Sequence, residues 1–188
     1  MEERERSRTA LVVTDMFNRY DHEDGERLAE SAAEVVPVIR ELIDAAREDD
    51  DVDVIYVNDN HGDWDSSAES LIRSAKEGEH PELIEPLIPD SGDSFVLKLR
   101  HSIFYSTPVE YLLREREIER LVLVGQVMEQ CILYSALDGY LRHYEVCVPR
   151  DAVAHIEPHL AAAALEMIER NMRGDICDAA DCLGRRPG

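Results

Sequence analysis

Three residues able to do nucleophilic or acid–base chemistry, Cys131, Asp15 and Lys98, lie in or next to apolar runs that read as strands, and a fourth such run delivers a polar loop. Cys131 follows LVLVGQVMEQ, in which Leu121 to Val124 is a continuous apolar run of the kind covered on both faces in a parallel sheet. Gly125 ends that strand, and from Cys131 onward Ile132, Leu133, Ala136, Leu137 and Leu141 fall at helical spacing. The thiol therefore belongs in the first turn of a helix at the carboxyl end of a central strand, where open α/β sheets bind ligands. Unpaired N–H groups and the positive helix end would stabilise a thiolate there, and would also donate to an oxyanion. The competing assignment is a small buried hydrophobe.

Asp15 follows TALVVT and sits at the same rim if the two strands are parallel neighbours, as an acid–base group or as an ordinary turn residue. Lys98 interrupts FVLKL. A lysine in a buried strand requires a carboxylate, supplied by an aspartate at the end of an adjacent strand, whereas one on an edge strand faces water. The run VDVIYV delivers Asn58 to Trp64 to the same edge of the sheet. Within it Asp59 and His61 form a D-x-H pair, which offers two metal ligands where a convincing site needs more. No metal or other cofactor is expected, and Trp64 reads as a wall or lid.

The elements that must position these groups alternate strand and helix. Strands are predicted over 9–14, 52–57, 95–99, 120–124 and 145–149, with a short edge strand at 175–179. Helices are predicted over 26–47, kinked or split at Pro37, weakly over 67–76, then from Thr107 to Arg116, after Cys131, and over 158–172. Five alternations imply a three-layer α/β/α fold with a doubly wound, mostly parallel sheet. The 188 residues read as one domain, 1–188, with tails at 1–8 and 180–188 expected to be mobile.

Net charge is −21, which disfavours nucleic acid and anionic membranes as partners. No apolar run approaches the ~20 residues of a membrane span and the N-terminus lacks a signal-peptide pattern, so a cytoplasmic protein is expected. The four cysteines, at 131, 147, 177 and 182, are expected to be free thiols, with Cys147 in the core and no role assigned to Cys177 or Cys182.

LVVTDMFN, YVNDNHGDW, FVLKLRHSIFYSTP and LVLVGQVMEQCILYSALDGY, in this order, resemble the isochorismatase-like cysteine hydrolases, a family that includes nicotinamidases, N-carbamoylsarcosine amidase and ureidoacrylate amidohydrolases. The resemblance runs from about Ala10 to Met172 and implies the isochorismatase-like, Rossmann-like topology and a catalytic triad of Asp15, Lys98 and Cys131. It also implies a non-proline cis peptide at Gln126–Val127 and an oxyanion hole made by the N–H groups of Val127 and Cys131. Relatives commonly form dimers or tetramers, so a homodimer or homotetramer is implied as well. Nicotinamidases of this family hold a metal through an aspartate and several histidines, of which only Asp59 and His61 have counterparts here.

The activity so implied is cysteine-dependent hydrolysis of a C–N bond in a small amide or ureido compound, through a thioester. An isochorismatase-type vinyl-ether hydrolase and a non-catalytic oligomeric scaffold are the alternatives. Phe17, Asn60, Trp64, Phe104, Tyr105, Met128 and Tyr134 are the expected substrate-binding side chains, with Arg19 or Arg100 available to anchor a carboxylate.

Overall fold

The computed structural model describes residues 8–183. Six strands form one all-parallel sheet in the order β3-β2-β1-β4-β5-β6. They are β1 (Arg8–Thr14), β2 (Val52–Asp59), β3 (Ser94–Lys98), β4 (Ile118–Gly125), β5 (Glu145–Pro149) and β6 (Asp175–Cys177). Six helices connect or follow them: α1 (Gly25–Arg47), α2 (Ala68–Lys76), α3 (Val109–Glu115), α4 (Leu133–Leu141), α5 (Pro158–Met172) and α6 (Ala179–Cys182). The strand order reverses direction at β1, with β2 and β3 on one side and β4 to β6 on the other. Such a switch point opens a crevice at the carboxyl ends of the central strands.

Side chains alternate across each strand, which gives the sheet two cores. Leu11, Val13, Val54, Tyr56, Val122, Val124 and Cys147 face α1 and α6, while Ala10, Val12, Ile55, Val57, Leu121, Leu123 and Val148 face α3, α4 and α5. β1 and β4 are buried almost throughout, in keeping with their uninterrupted apolar sequences.

Three expectations change. α1 runs unbroken through Pro37 because the proline lies on the exposed face, where water can satisfy the carbonyl it leaves without a donor. Cys131 lies in a π-type turn, Met128–Ile132, that leads into α4. Of the stretches expected as mobile tails, Arg8 belongs to β1 and Ala179–Cys182 form a short helix with Cys182 wholly buried, while 1–7 and 184–188 lie outside the described residues. Among the described residues no helix is long and apolar enough to cross a membrane.

Candidate active site

The register of the central strands brings the chemistry together. Thr14 is level with both Val57 of β2 and Gly125 of β4, and Asp59 is level with Lys98 of β3. Asp15 therefore leaves β1 where its neighbours end. Its backbone is left-handed, at φ 54°, and each of its polar groups is held. The N–H donates to Val57 O (3.0 Å), and the carbonyl accepts from Gln126 Nε2 (2.8 Å). Oδ1 accepts from the Asp59 N–H (2.7 Å), and Oδ2 pairs with Lys98 Nζ at 2.8 Å. Tyr20 in turn donates to Gln126 Oε1 (3.2 Å), which orients the amide that grips Asp15.

Lys98 lies on edge strand β3 yet is 0 % exposed. It reaches Asp15 past the intervening β2, and its Nζ also stands 3.4 Å from Asp59 Oδ2 and 3.8 Å from Cys131 Sγ. Burial alone would depress its pKa, but Asp15, Cys131 and Asp59 together outweigh that and raise it. The amine is therefore an ammonium at neutral pH, set between two carboxylates and a sulfur.

Cys131 is 8 % exposed. Its thiol pKa is raised, first by burial and next by the negative charge of Asp15, with Lys98 and the Val127 N–H opposing. Burial first, and then the carboxylate beside the sulfur, therefore act against the thiolate that the helix end is expected to favour.

Gly125 closes the floor of the site. Its φ is +111°, and a Cβ there would stand 2.2 Å from Thr14 O, so only glycine allows β4 to press against β1 at this point. The next peptide, Gln126–Val127, is cis. The turn that follows is anchored by Met128 N–H to Ala154 O (2.8 Å) and by Glu129 Oε1, which accepts the N–H groups of Ile156 and Glu157.

A cavity of about 540 Å³ adjoins this cluster, lined by Asp59, Asn60, Gly62, Trp64, Leu99, Arg100, His101 and Tyr105. Of the expected substrate-binding residues, Asn60, Trp64 and Tyr105 are on its wall. Tyr134 is at its edge, its ring 5.4 Å from that of His101. Phe17 instead packs on Tyr56 and Phe95, Phe104 packs between Tyr144 and the Arg142 guanidinium, and Met128 is buried in the core under α4. Arg19 is turned away onto Asp21 and Ser74 O. His101, which the sequence reading did not single out, joins the cavity to the sulfur, with Nδ1 4.0 Å from Cys131 Sγ. Ser135 Oγ fixes its loop by accepting the Ile103 N–H. The signal available in sequence was a histidine three residues beyond Lys98.

Asp59 and His61 do not make a donor set for a divalent ion. Asp59 Oδ1 accepts the His61 N–H (2.8 Å), Oδ2 faces Lys98, and the His61 ring lies against Phe17 O (3.3 Å). His80 is engaged elsewhere, between Glu26 and Glu82.

Residues 9–181 match the isochorismatase domain model. The chain belongs to the isochorismatase family. It is 30% identical over 167 residues to YaaI, an uncharacterized isochorismatase family protein of Bacillus subtilis (strain 168), covering 89% of this chain and 92% of that protein. It is 31% identical over 188 residues to the ureidoacrylate amidohydrolase RutB of Cronobacter sakazakii, covering 86% and 81%. Among solved structures, N-carbamoylsarcosine amidase from Thermoplasma acidophilum is 28% identical, covers 94% of this chain and is covered over 99% of its own, with a TM-score of 0.73. The six-stranded parallel sheet is thus the isochorismatase fold, and family membership makes the chain an isochorismatase-family hydrolase.

Proposed function

We propose that this isochorismatase-family hydrolase cleaves a C–N bond in a small amide or ureido compound through a thioester on Cys131. The observation that carries the reading is the contact of three groups from separate strand ends: Lys98 Nζ lies 2.8 Å from Asp15 Oδ2 and 3.8 Å from Cys131 Sγ. A raised thiol pKa suits this chemistry. The thiol stays protonated at rest and passes its proton to Asp15 only as the sulfur attacks a carbonyl, so no exposed thiolate is maintained between turnovers.

The steps balance around one carboxylate. Sγ bonds to the carbonyl carbon, Asp15 takes the thiol proton, and the oxyanion is met by the N–H groups of Val127 and Cys131. Asp15 then returns the proton to the leaving nitrogen as the C–N bond breaks. Water, giving a proton to the same carboxylate, attacks the thioester and releases the acid and the thiol. Lys98 holds the Asp15 carboxylate in place from 2.8 Å while the proton comes and goes, as a positioning residue. Arg100, exposed on the cavity wall, offers a bidentate partner to a substrate carboxylate. The names of the Cronobacter and Thermoplasma relatives, a ureidoacrylate amidohydrolase and an N-carbamoylsarcosine amidase, support acyclic ureido acids as the compounds to try first.

The test is ammonia release from a panel of small amides and ureido acids, with Cys131→Ala and Cys131→Ser alongside. The expected outcome is turnover of at least one panel member, abolished in both variants, with an acyl adduct on Cys131 seen by mass spectrometry after rapid quenching. Full turnover by Cys131→Ser would overturn the covalent route.

A further inference from the structure

The other three cysteines also meet, away from the candidate active site. Alternation places Arg120 of β4, Cys147 of β5, and Asp175 and Cys177 of β6 on the face covered by α1 and α6. Cys147 is level with Asp175, and Pro149 with Cys177, so the two thiols are diagonal neighbours across adjacent parallel strands. Their sulfurs are 3.3 Å apart, and the ligand atoms of Cys147, Asp175 and Cys177 all lie within 4.8 Å of one another. α6 then folds back so that Cys182 is buried beside them, its carbonyl accepting from Arg120 Nη1 at 2.5 Å.

We propose that Cys147, Asp175 and Cys177 form a binding site for a thiophilic divalent cation of the zinc type. Two Zn–S bonds of about 2.3 Å at the tetrahedral angle separate their sulfurs by about 3.8 Å, half an ångström more than the gap between these two thiols. A small turn of either side chain supplies the difference. Donor softness selects the ion: two sulfurs and one carboxylate suit zinc, and not calcium or magnesium, which take oxygen.

Charge also balances. Two thiolates and a carboxylate sum to −3, the ion brings +2, and Arg120, whose Nη2 is 3.5 Å from Asp175 Oδ2, brings +1. The buried site is then neutral. Arg120 Nε, buried and without a hydrogen-bond partner among the described residues, is a donor available to a sulfur that has given up its proton. Cys147 is sealed, while Cys177 and Asp175 are half-buried. The ion would clamp edge strand β6 to β5.

Cobalt(II) is the probe, added to full-length protein that has been stripped with chelator and reduced with a phosphine. One equivalent should develop the near-ultraviolet thiolate-to-cobalt band with tetrahedral visible bands, and zinc should bleach them. Cys177→Ser and Asp175→Asn should each weaken binding at least tenfold, the second keeping both thiols in place, while Cys131→Ser should leave the spectrum unchanged. Saturating zinc should raise the melting temperature of the wild type by about 5–10 °C at a hundredfold excess over the dissociation constant, and that of Cys177→Ser by no more than about half as much at the same zinc concentration. Absence of the thiolate band at one equivalent, its persistence in Cys177→Ser, or its loss in Cys131→Ser would each overturn the proposal. Adventitious binding to histidines gives no such band.

Discussion

Replacing Lys98 by methionine tests the electrostatics of the site most directly. The substitution keeps the length and apolar stem of the side chain but removes the ammonium that sits 2.8 Å from Asp15 and 3.4 Å from Asp59, in a position with no solvent exposure. Breaking a buried ion pair by deleting one partner costs about 3–5 kcal/mol, because the remaining charge is left uncompensated. Two carboxylates are stranded here, although Asp59 is partly exposed and its share is screened, so about 3–4 kcal/mol is expected at neutral pH. That is a large part of the ~5–15 kcal/mol that holds a domain together. The loss should shrink as pH falls and the carboxylates take up protons. The double variant Lys98→Met with Asp15→Asn should recover about 1–3 kcal/mol of it. In the wild type the raised Lys98 pKa means that the pair contributes fully below the ordinary lysine value near about 10.4, and is lost as pH rises through the higher folded value. Urea melts at fixed ionic strength, run at pH 5, 7.5 and 9 on the wild type, Lys98→Met, Asp15→Asn and the double variant, measure the cost, its pH dependence and the recovery, and a further wild-type melt above pH 11 reads the alkaline loss. A cost below about 1 kcal/mol that does not vary with pH would refute the reasoning, since an ammonium so placed could not then be holding the carboxylates.

Asp15→Asn should abolish turnover yet speed alkylation of Cys131 by iodoacetamide at neutral pH, because the carboxylate is one of the causes that raise the thiol pKa; slower labelling would contradict that assignment. Burial pushes Tyr20 up to about 12, so the folded state holds its proton where the unfolded chain has lost it. Tyr20 should therefore contribute about 2–3 kcal/mol to the fall in stability between pH 10 and 12, and Tyr20→Phe should reduce that fall by the same amount, the rest coming from other buried groups such as Tyr56 and Cys147 that burial also pushes up, as read by alkaline denaturation series. Gly125→Ala forces a Cβ onto Thr14 O at a left-handed φ and should cost at least about 3 kcal/mol in a chemical melt; a cost under about 1 kcal/mol would mean that β4 can draw back from β1.

Strands β1 to β4 were legible because each is an apolar run with a polar or reactive residue in it or shortly past its carboxyl end. Asp15 and Cys131 could be set at the same rim on that basis alone, and α5 begins and ends where its alanine-rich stripe does. Lys98 was ambiguous in sequence between a solvent-facing edge residue and a buried partner, and the fold realises a mixture: an edge strand whose lysine points inward. Three things were hidden for a common reason. The approach of Asp59 to Lys98, the nearness of His101 to the sulfur, and the meeting of Cys147 with Cys177 all depend on which distant segments lie side by side, and the pattern within one segment does not name its neighbour. Phe17 and Met128 look like rim residues because they adjoin Asp15 and Cys131, but the chain turns them into the two cores.

Because the amine that serves the central crevice is rooted in β3, the competence of the site is tied to the outermost ribbon of the sheet. β3 has a neighbour on one side only, so a local opening of that single pairing, resisted chiefly by the buried Lys98 contacts, is enough to undo the site. Peeling would withdraw the positive charge and leave acid and sulfur facing each other unmediated. Heat or denaturant should therefore silence the protein before its helices or its innermost strands report any loss, and hydrogen exchange at Phe95 to Leu97 would time that first failure.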